Sequence, residues 1–351
     1  MSQPRTPSYP TPPPDSMSAV TSSATLAWHR MVELLFTGPN ATLVNWIWWG
    51  LIIMLAGLGG GGGGDGLRGD WDGGEFPGRG RWDLPEPGII VAIVALVCLV
   101  FVLVLLWIFI NSCFRFVLLD GVLSGEPRLR DVFSRSTGPG LQYFLLNIAV
   151  GLAAILAIGV PLLPFWLPLI LRAGRHDVPV ESLPLLIIPT VLWVACVAFA
   201  VGIFSLLVYD LVLPYAWIRS RGILSAMGDA MALVRSHPAA VLLFILARII
   251  VGVVVTLAIC LLCVMTCCAW LIPLLAVYGP LVGASVAFPP ALIFTVPLMI
   301  AAGILFAWVV STITAPIPIS YRSWSLAFVH LLDPTLDIWS VSPPSPSEPA
   351  P

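Results

Sequence analysis

The sequence predicts an all-α, polytopic integral membrane protein. About six transmembrane helices are expected in three hairpins, each hairpin preceded by an amphipathic interfacial helix. Three observations predict this class. Only 10% of the 351 residues are charged and 59% are hydrophobic, with a mean hydropathy of +1.00. A soluble domain carries about a quarter charged residues, so this chain cannot cover its own surface with polar groups and lipid must be its main solvent. Apolar runs long enough to cross about 30 Å of hydrocarbon recur along the chain. Finally, Thr37-Gly38-Pro39, Thr137-Gly138-Pro139 and Pro238 each follow an amphipathic segment and precede apolar sequence, which suggests three units of one architecture.

Each element has a local reason. Residues 1–23 are rich in Pro, Ser and Thr, lack an apolar signal-peptide core, and read as a disordered tail. One membrane domain is expected over residues 24–335. From Ala24 to Phe36, Trp28, Met31, Val32, Leu35 and Phe36 share one helical face, and His29, Arg30 and Glu33 take the other, as in a helix lying at the membrane interface. Ala41 to Leu58 reads as the first span, with Trp46, Trp48 and Trp49 marking an interface. Residues 59–87 open with six consecutive glycines, Gly59 to Gly64, and continue with scattered acids. No Lys-Ser/Thr pair of a phosphate loop and no regular calcium-ligand spacing is present, so a water-exposed acidic loop is expected.

Gly88 to Ile110 is the second span. A polar segment from Arg115 to Arg135 follows, with Leu129, Val132 and Phe133 on one face, and Thr137-Gly138-Pro139 is expected to break it. Leu141 to Leu163 is the third span, kinked or ended by Pro161, Pro164 and Pro168, and Leu183 to Val208 is the fourth. Gly222 to His237 is the third amphipathic segment, with Ile223, Met227, Met231 and Val234 as its apolar stripe. Ala239 to Ala315 contains a single charge, Arg248. Two spans joined by a link broken at Pro273, Pro280, Pro289 and Pro290 fit this run, with three spans as the alternative. Pro316 to Pro334 reads as an interfacial segment, and residues 336–351 as a disordered, proline-rich tail.

Orientation follows from arginine placement. All sixteen basic residues are arginine, a usage that points to a GC-rich bacterial genome. With the N-terminus inside and six spans, Arg5, Arg30, Arg115, Arg128, Arg130, Arg135, Arg219, Arg221, Arg235 and Arg322 fall on one side, and Arg68, Arg79, Arg81, Arg172 and Arg175 on the other. The positive-inside bias then places both termini in the cytoplasm of a cell (inner) membrane. The net charge of −2 argues neither for nor against nucleic acid, but the chain has no pool of basic residues to bind phosphates, so nucleic acid is not expected as a partner.

The chemistry-bearing residues are few. Cys260, Cys263, Cys267 and Cys268 fall on one helical face, but four thiols on one helix cannot wrap a tetrahedral zinc, so no metal is expected. The four histidines, His29, His176, His237 and His330, have no HExxH-type partner, and no serine sits in a G-x-S-x-G turn. No catalytic residue, metal or cofactor is therefore expected. One charged pair stands out. Asp210 ends the fourth span and Arg248 lies well inside the fifth. At 1.5 Å per residue Arg248 lies about 15 Å deep and Asp210 about 6 Å, and their side chains lean toward each other. An intramembrane charge must face protein or water. The pair is read either as an ion pair locking two helices or as a transport site.

Several segments recur in a recognisable order. They are Trp28 to Phe36 (WHRMVELLF), the Trp-rich first span, the polyglycine loop, Arg115 to Asp120 (RFVLLD), Tyr209 to Arg248, and Tyr321 to Phe328 (YRSWSLAF). The chain resembles a family of uncharacterised prokaryotic polytopic membrane proteins, a domain of unknown function. That family is similar in layout to the membrane domain attached to some glycerophosphodiester phosphodiesterases. The resemblance covers about residues 24–335 and implies no catalytic residues; no phosphodiesterase catalytic segment is present, so that activity is not implied.

The expected function is non-enzymatic: a membrane scaffold, lipid-organising or accessory protein whose partners are the lipid bilayer and an unidentified membrane protein. The alternative is a small-solute or ion transporter built on Asp210 and Arg248, and the third class is a lipid-active membrane enzyme.

Overall fold

The structure, a computed structural model, describes residues 15–57, 87–173, 183–261, 292–336 and 338, and no strand occurs among them. Ten α-helices are described: α1 Ser16–Val32, α2 Leu43–Leu55, α3 Pro87–Ser124, α4 Arg130–Ala173, α5 Leu183–Leu207, α6 Leu213–Ile218, α7 Ile223–Ser236, α8 Pro238–Leu261, α9 Leu292–Ile313 and α10 Pro316–Leu332. Wider π-helical turns extend α1 (Glu33–Thr37) and join α5 to α6 (Val208–Val212). Among the described residues, four stretches are long and apolar enough to cross a membrane: Val91–Ser124, Asp131–Pro164, Ile187–Ile218 and Pro238–Leu261. A fifth forms if α9 and α10, which meet at a 53° bend, count as one broken span. This is the make-up of a multi-pass membrane protein.

The long helices share one plan. Each buries one end in a common core and exposes the rest. In α3, every side chain from Val91 to Val104 is exposed, whereas Cys113, Phe116, Val117, Leu118 and Leu119 are fully buried or nearly so. The core gathers those residues with α1, α2, the start of α4, the α5–α6 junction, α7, the start of α8 and α10. Aromatic contacts stiffen it: Phe244 stacks on Phe328 at 4.2 Å and meets Trp324 edge-on at 5.5 Å. Such pairs contribute about 0.5–1.5 kcal/mol beyond their area. Small residues let helices touch. A side chain at Gly121 would meet the ring of the buried Trp49, and one at Gly50 would lie 2.0 Å from Thr312 Oγ1. Arg30 caps α3 by donating to the carbonyls of Val122 and Leu123, both at 3.3 Å, where the negative end of the helix dipole favours a cation. Gln142 of α4 caps α7 by accepting from the N–H of Ile223 at 2.9 Å.

Several expectations need correction. The first helix begins at Ser16, not Ala24, so residues 16–23 do not belong to the tail. Asp15 caps it through Ser18 N–H at 2.7 Å, and Ala19, Val20 and Ser23 are buried. Its buried face is Ala27, Met31, Leu34 and Leu35; Trp28 and Phe36 are exposed. Thr137-Gly138-Pro139 does not break α4. Val132, Ser136, Gly140 and Tyr143 form one buried stripe across the proline, and Gly140 lies against Cys113 of α3, so packing holds the helix through a single missing hydrogen bond. The three unit boundaries are therefore not equivalent: the middle unit has no separate interfacial helix, because its amphipathic segment is divided between the ends of α3 and α4. Pro161, Pro164 and Pro168 lie within α4, which continues to Ala173, a tolerance common in membrane helices.

In α7 the buried stripe is Ile223, Ala226, Ala230 and Leu233, and Met231 is exposed, because the two alanines allow closer approach than methionines would. Pro316 to Pro334 is not merely interfacial: α10 buries every residue from Arg322 to Val329. The first span is described only as α2, whose 13 residues reach about 20 Å, short of a bilayer core. Outside the described residues lie most of the N-terminal tail (1–14), the glycine-rich loop apart from its last residue (58–86), the polar link at 174–182, the doubtful middle at 262–291, and nearly all of the C-terminal tail.

Candidate functional site

The site grows from Pro214. At the π-turn the N–H of Leu213 bonds to the carbonyl of Val208, five residues back. In that register the carbonyl of Tyr209 would pair with the N–H of residue 214, which proline lacks, and the ordinary helical partner of the Asp210 carbonyl is the same missing group. Helix α10 supplies both donors: Arg322 Nη1 donates to Tyr209 O at 2.6 Å, and Ser325 Oγ donates to Asp210 O.

The same turn aims the Asp210 carboxylate at α8. Arg248 Nε donates to Oδ2 at 3.1 Å and Nη2 to Oδ1 at 3.5 Å, with side-chain exposures of 9% for Arg248 and 1% for Asp210. The guanidinium also covers the ring of Tyr321, 3.6 Å from its centre. The structure thus brings Asp210 and Arg248 into direct contact.

Sequence reasoning did not place two further cations here. Arg322, fully buried, lies over the Tyr209 ring at 4.6 Å, and Arg115 lies over the same ring at 5.3 Å while donating to the Tyr143 hydroxyl. Three guanidiniums therefore surround one carboxylate and two tyrosine rings. Cation–π contact contributes about 2 kcal/mol or more when desolvated, which offsets part of the cost of burying these charges. Donors remain unused: Arg248 Nη1, Arg322 Nε and Nη2, and the Tyr321 hydroxyl are buried with no hydrogen-bond partner among the described residues. The sequence signal was the run Tyr321-Arg322-Ser323-Trp324-Ser325, whose polar content suggested an interface but is answered by α1 and the α5–α6 junction.

Two cavities flank the cluster. One, of about 460 Å³, is an apolar groove between α1, α8 and α10, with Tyr321 in its wall. The other, of about 350 Å³, is polar: Arg219 bridges Asp229 at 2.9 Å and Asp333 at 3.3 Å, and Tyr215 donates to Asp333 at 2.9 Å. Burial raises the Asp333 carboxyl, but hydrogen bonds from Thr335 and Tyr215 and the Arg219 charge outweigh it and hold the group below its ordinary value. Cys98, Cys196 and Cys260 are exposed on apolar helices and Cys113 is buried, whereas Cys263, Cys267 and Cys268 lie outside the described residues. His29 and His237 are exposed, and His330 Nδ1 lies 2.8 Å from Leu336 O.

Fold and site together define a multi-pass helical membrane protein with a buried arginine–aspartate–tyrosine cluster. Residues 18–339 match DUF7544, a family of unknown function, and the chain belongs to that family. No link to the glycerophosphodiester phosphodiesterase membrane domain is shown. No curated protein and no solved structure matches the chain.

Proposed function

We propose that this protein is a non-enzymatic membrane scaffold that organises lipid around its helices, in a cell inner membrane with both termini cytoplasmic. One observation carries the reading: α3 leaves every side chain from Val91 to Val104 exposed, on all faces. A helix lining a solute path has a face covered by its neighbours, whereas a helix apolar and open on all sides is solvated by acyl chains or by a partner membrane protein. Asp210 and Arg248 act in this reading as a lock between α8 and the α5–α6 junction, since the pair is buried and covered by Tyr321.

The test is purification from native membranes followed by lipid mass spectrometry and proteoliposome uptake assays. Lipid retained above the level of a control helical protein, with no solute flux, is the expected result. Solute or ion flux that collapses in Asp210→Asn would overturn it. The excess of positive charge around Asp210 favours a second reading, a small-anion transporter, and the same flux assay with chloride and phosphate separates the two. Reporter fusions at both termini test the topology, and a periplasmic C-terminus would refute it.

A further inference from the structure

The apolar groove between α1, α8 and α10 has a chemical direction. Its α8 wall is Val251 and Val255, which share a helical face with Arg248 at i+3 and i+7. Tyr321, under the Arg248 guanidinium, lines the groove, and its buried hydroxyl and Arg248 Nη1 are both donors without an acceptor among the described residues. In the other direction the groove opens onto the exposed apolar side of α8 at Val251, which is 37% exposed. Trp28 and Phe36, exposed aromatics on the α1 side, complete its wall. Hydrogen-bond donors and positive charge at one end, and an apolar path from there onto a membrane-exposed helix, match the polarity of one amphiphile. The volume, about 460 Å³, lies within the roughly 300–1,000 Å³ of small-molecule sites.

We propose that this groove binds one acyl chain of an anionic phospholipid, whose phosphate accepts from the Tyr321 hydroxyl and Arg248 Nη1. The proposal rests on the lipid-organising reading and names the lipid class it would select. Asp210 pairs with Arg248 alone, while Arg115 and Arg322 lie over the neighbouring Tyr209 ring, so the cluster as a whole keeps an excess of positive charge that favours an anion at the Arg248 end of the groove. A zwitterionic lipid offers the same phosphate but brings a cation that these arginines repel.

The test uses the full chain in nanodiscs of dioleoylphosphatidylcholine doped with dioleoylphosphatidylglycerol, followed by native mass spectrometry of the lipid that stays bound. The wild type should retain one phosphatidylglycerol in about tenfold preference to phosphatidylcholine. Val255→Trp fills the groove and should abolish that retention, while Leu257→Trp, outside the groove on the same helix, should preserve it. Tyr321→Phe keeps the shape and removes one donor, and should lower the preference about tenfold, the effect of a hydrogen bond to a charged group. Phosphatidylglycerol retained by Val255→Trp at the wild-type level would overturn the site. An unchanged preference in Tyr321→Phe would overturn the headgroup contact. Equal retention of both lipids by the wild type would overturn the anionic selectivity and leave the lipid-organising reading standing. No retained lipid in either the wild type or Leu257→Trp would overturn that reading itself.

Discussion

Removing Asp210 and Arg248 singly and together should give destabilisations that do not add. The carboxylate is 1% exposed, and Arg248 is its only hydrogen-bond donor among the described residues. Breaking a buried pair from one side typically costs about 3–5 kcal/mol, because the other charge is left uncompensated. Asp210→Asn should cost about 3 kcal/mol, since Arg248 keeps its contact over Tyr321. Arg248→Leu should cost about 5 kcal/mol, as it strands the acid and also forfeits a ring contact of about 2 kcal/mol. The double variant strands no charge but loses the ring contact and packs imperfectly, so it should cost about 5 kcal/mol, no more than Arg248→Leu alone and well below the sum of about 8 kcal/mol. A coupling energy of about 3 kcal/mol is expected, near the top of the roughly 0.5–3 kcal/mol range for touching residues. The assay is equilibrium unfolding by sodium dodecyl sulfate in mixed micelles, followed by circular dichroism. Single effects that add to within about 0.5 kcal/mol would refute the reasoning.

Glycine positions offer a paired test. Gly50→Ala puts a methyl group 2.0 Å from Thr312 Oγ1 and 2.7 Å from its Cα, so α2 and α9 must separate, at about 1–3 kcal/mol; Gly202→Ala, with nothing within 4 Å, should stabilise by about 0.5–1 kcal/mol, and the same unfolding titration reads both. Ser23→Ala removes the acceptor of the buried Trp324 indole N–H, a 3.0 Å bond, and should cost about 1–3 kcal/mol, with earlier proteolytic cleavage in α1 as the second readout. Asp333 is held below its ordinary carboxylate value, so its contribution to stability is present above that value and is lost as pH falls through the lower folded one. Acid unfolding profiles of wild type and Asp333→Asn should therefore converge at the acid end and separate as pH rises into the neutral range; a constant gap at all pH values would refute this assignment.

The sequence alone determined the class of the protein and the location of its four long apolar helices. Hydropathy is a local, additive property, and a chain with so few charges has no fold open to it except one solvated by lipid. The conspicuous Arg248 could be read for the same reason, because a lone charge in a run from Ala239 to Ala315 stands out without any knowledge of its neighbours. What depends on neighbours was not legible. The helical start at Ser16 depends on packing that buries Ala19, Val20 and Ser23, the last under Trp324 of α10. The passage of α4 through Pro139 requires Cys113 beside Gly140. The burial of Arg322 requires a carbonyl that Pro214, more than a hundred positions earlier, leaves free. In each case local preference pointed to a tail, a break or an interface, and contacts between residues distant in the chain reversed it. Only the tertiary structure decided these, because the free energy of a buried guanidinium or a helix-borne proline is set by the groups packed around it rather than by the residues on either side in sequence.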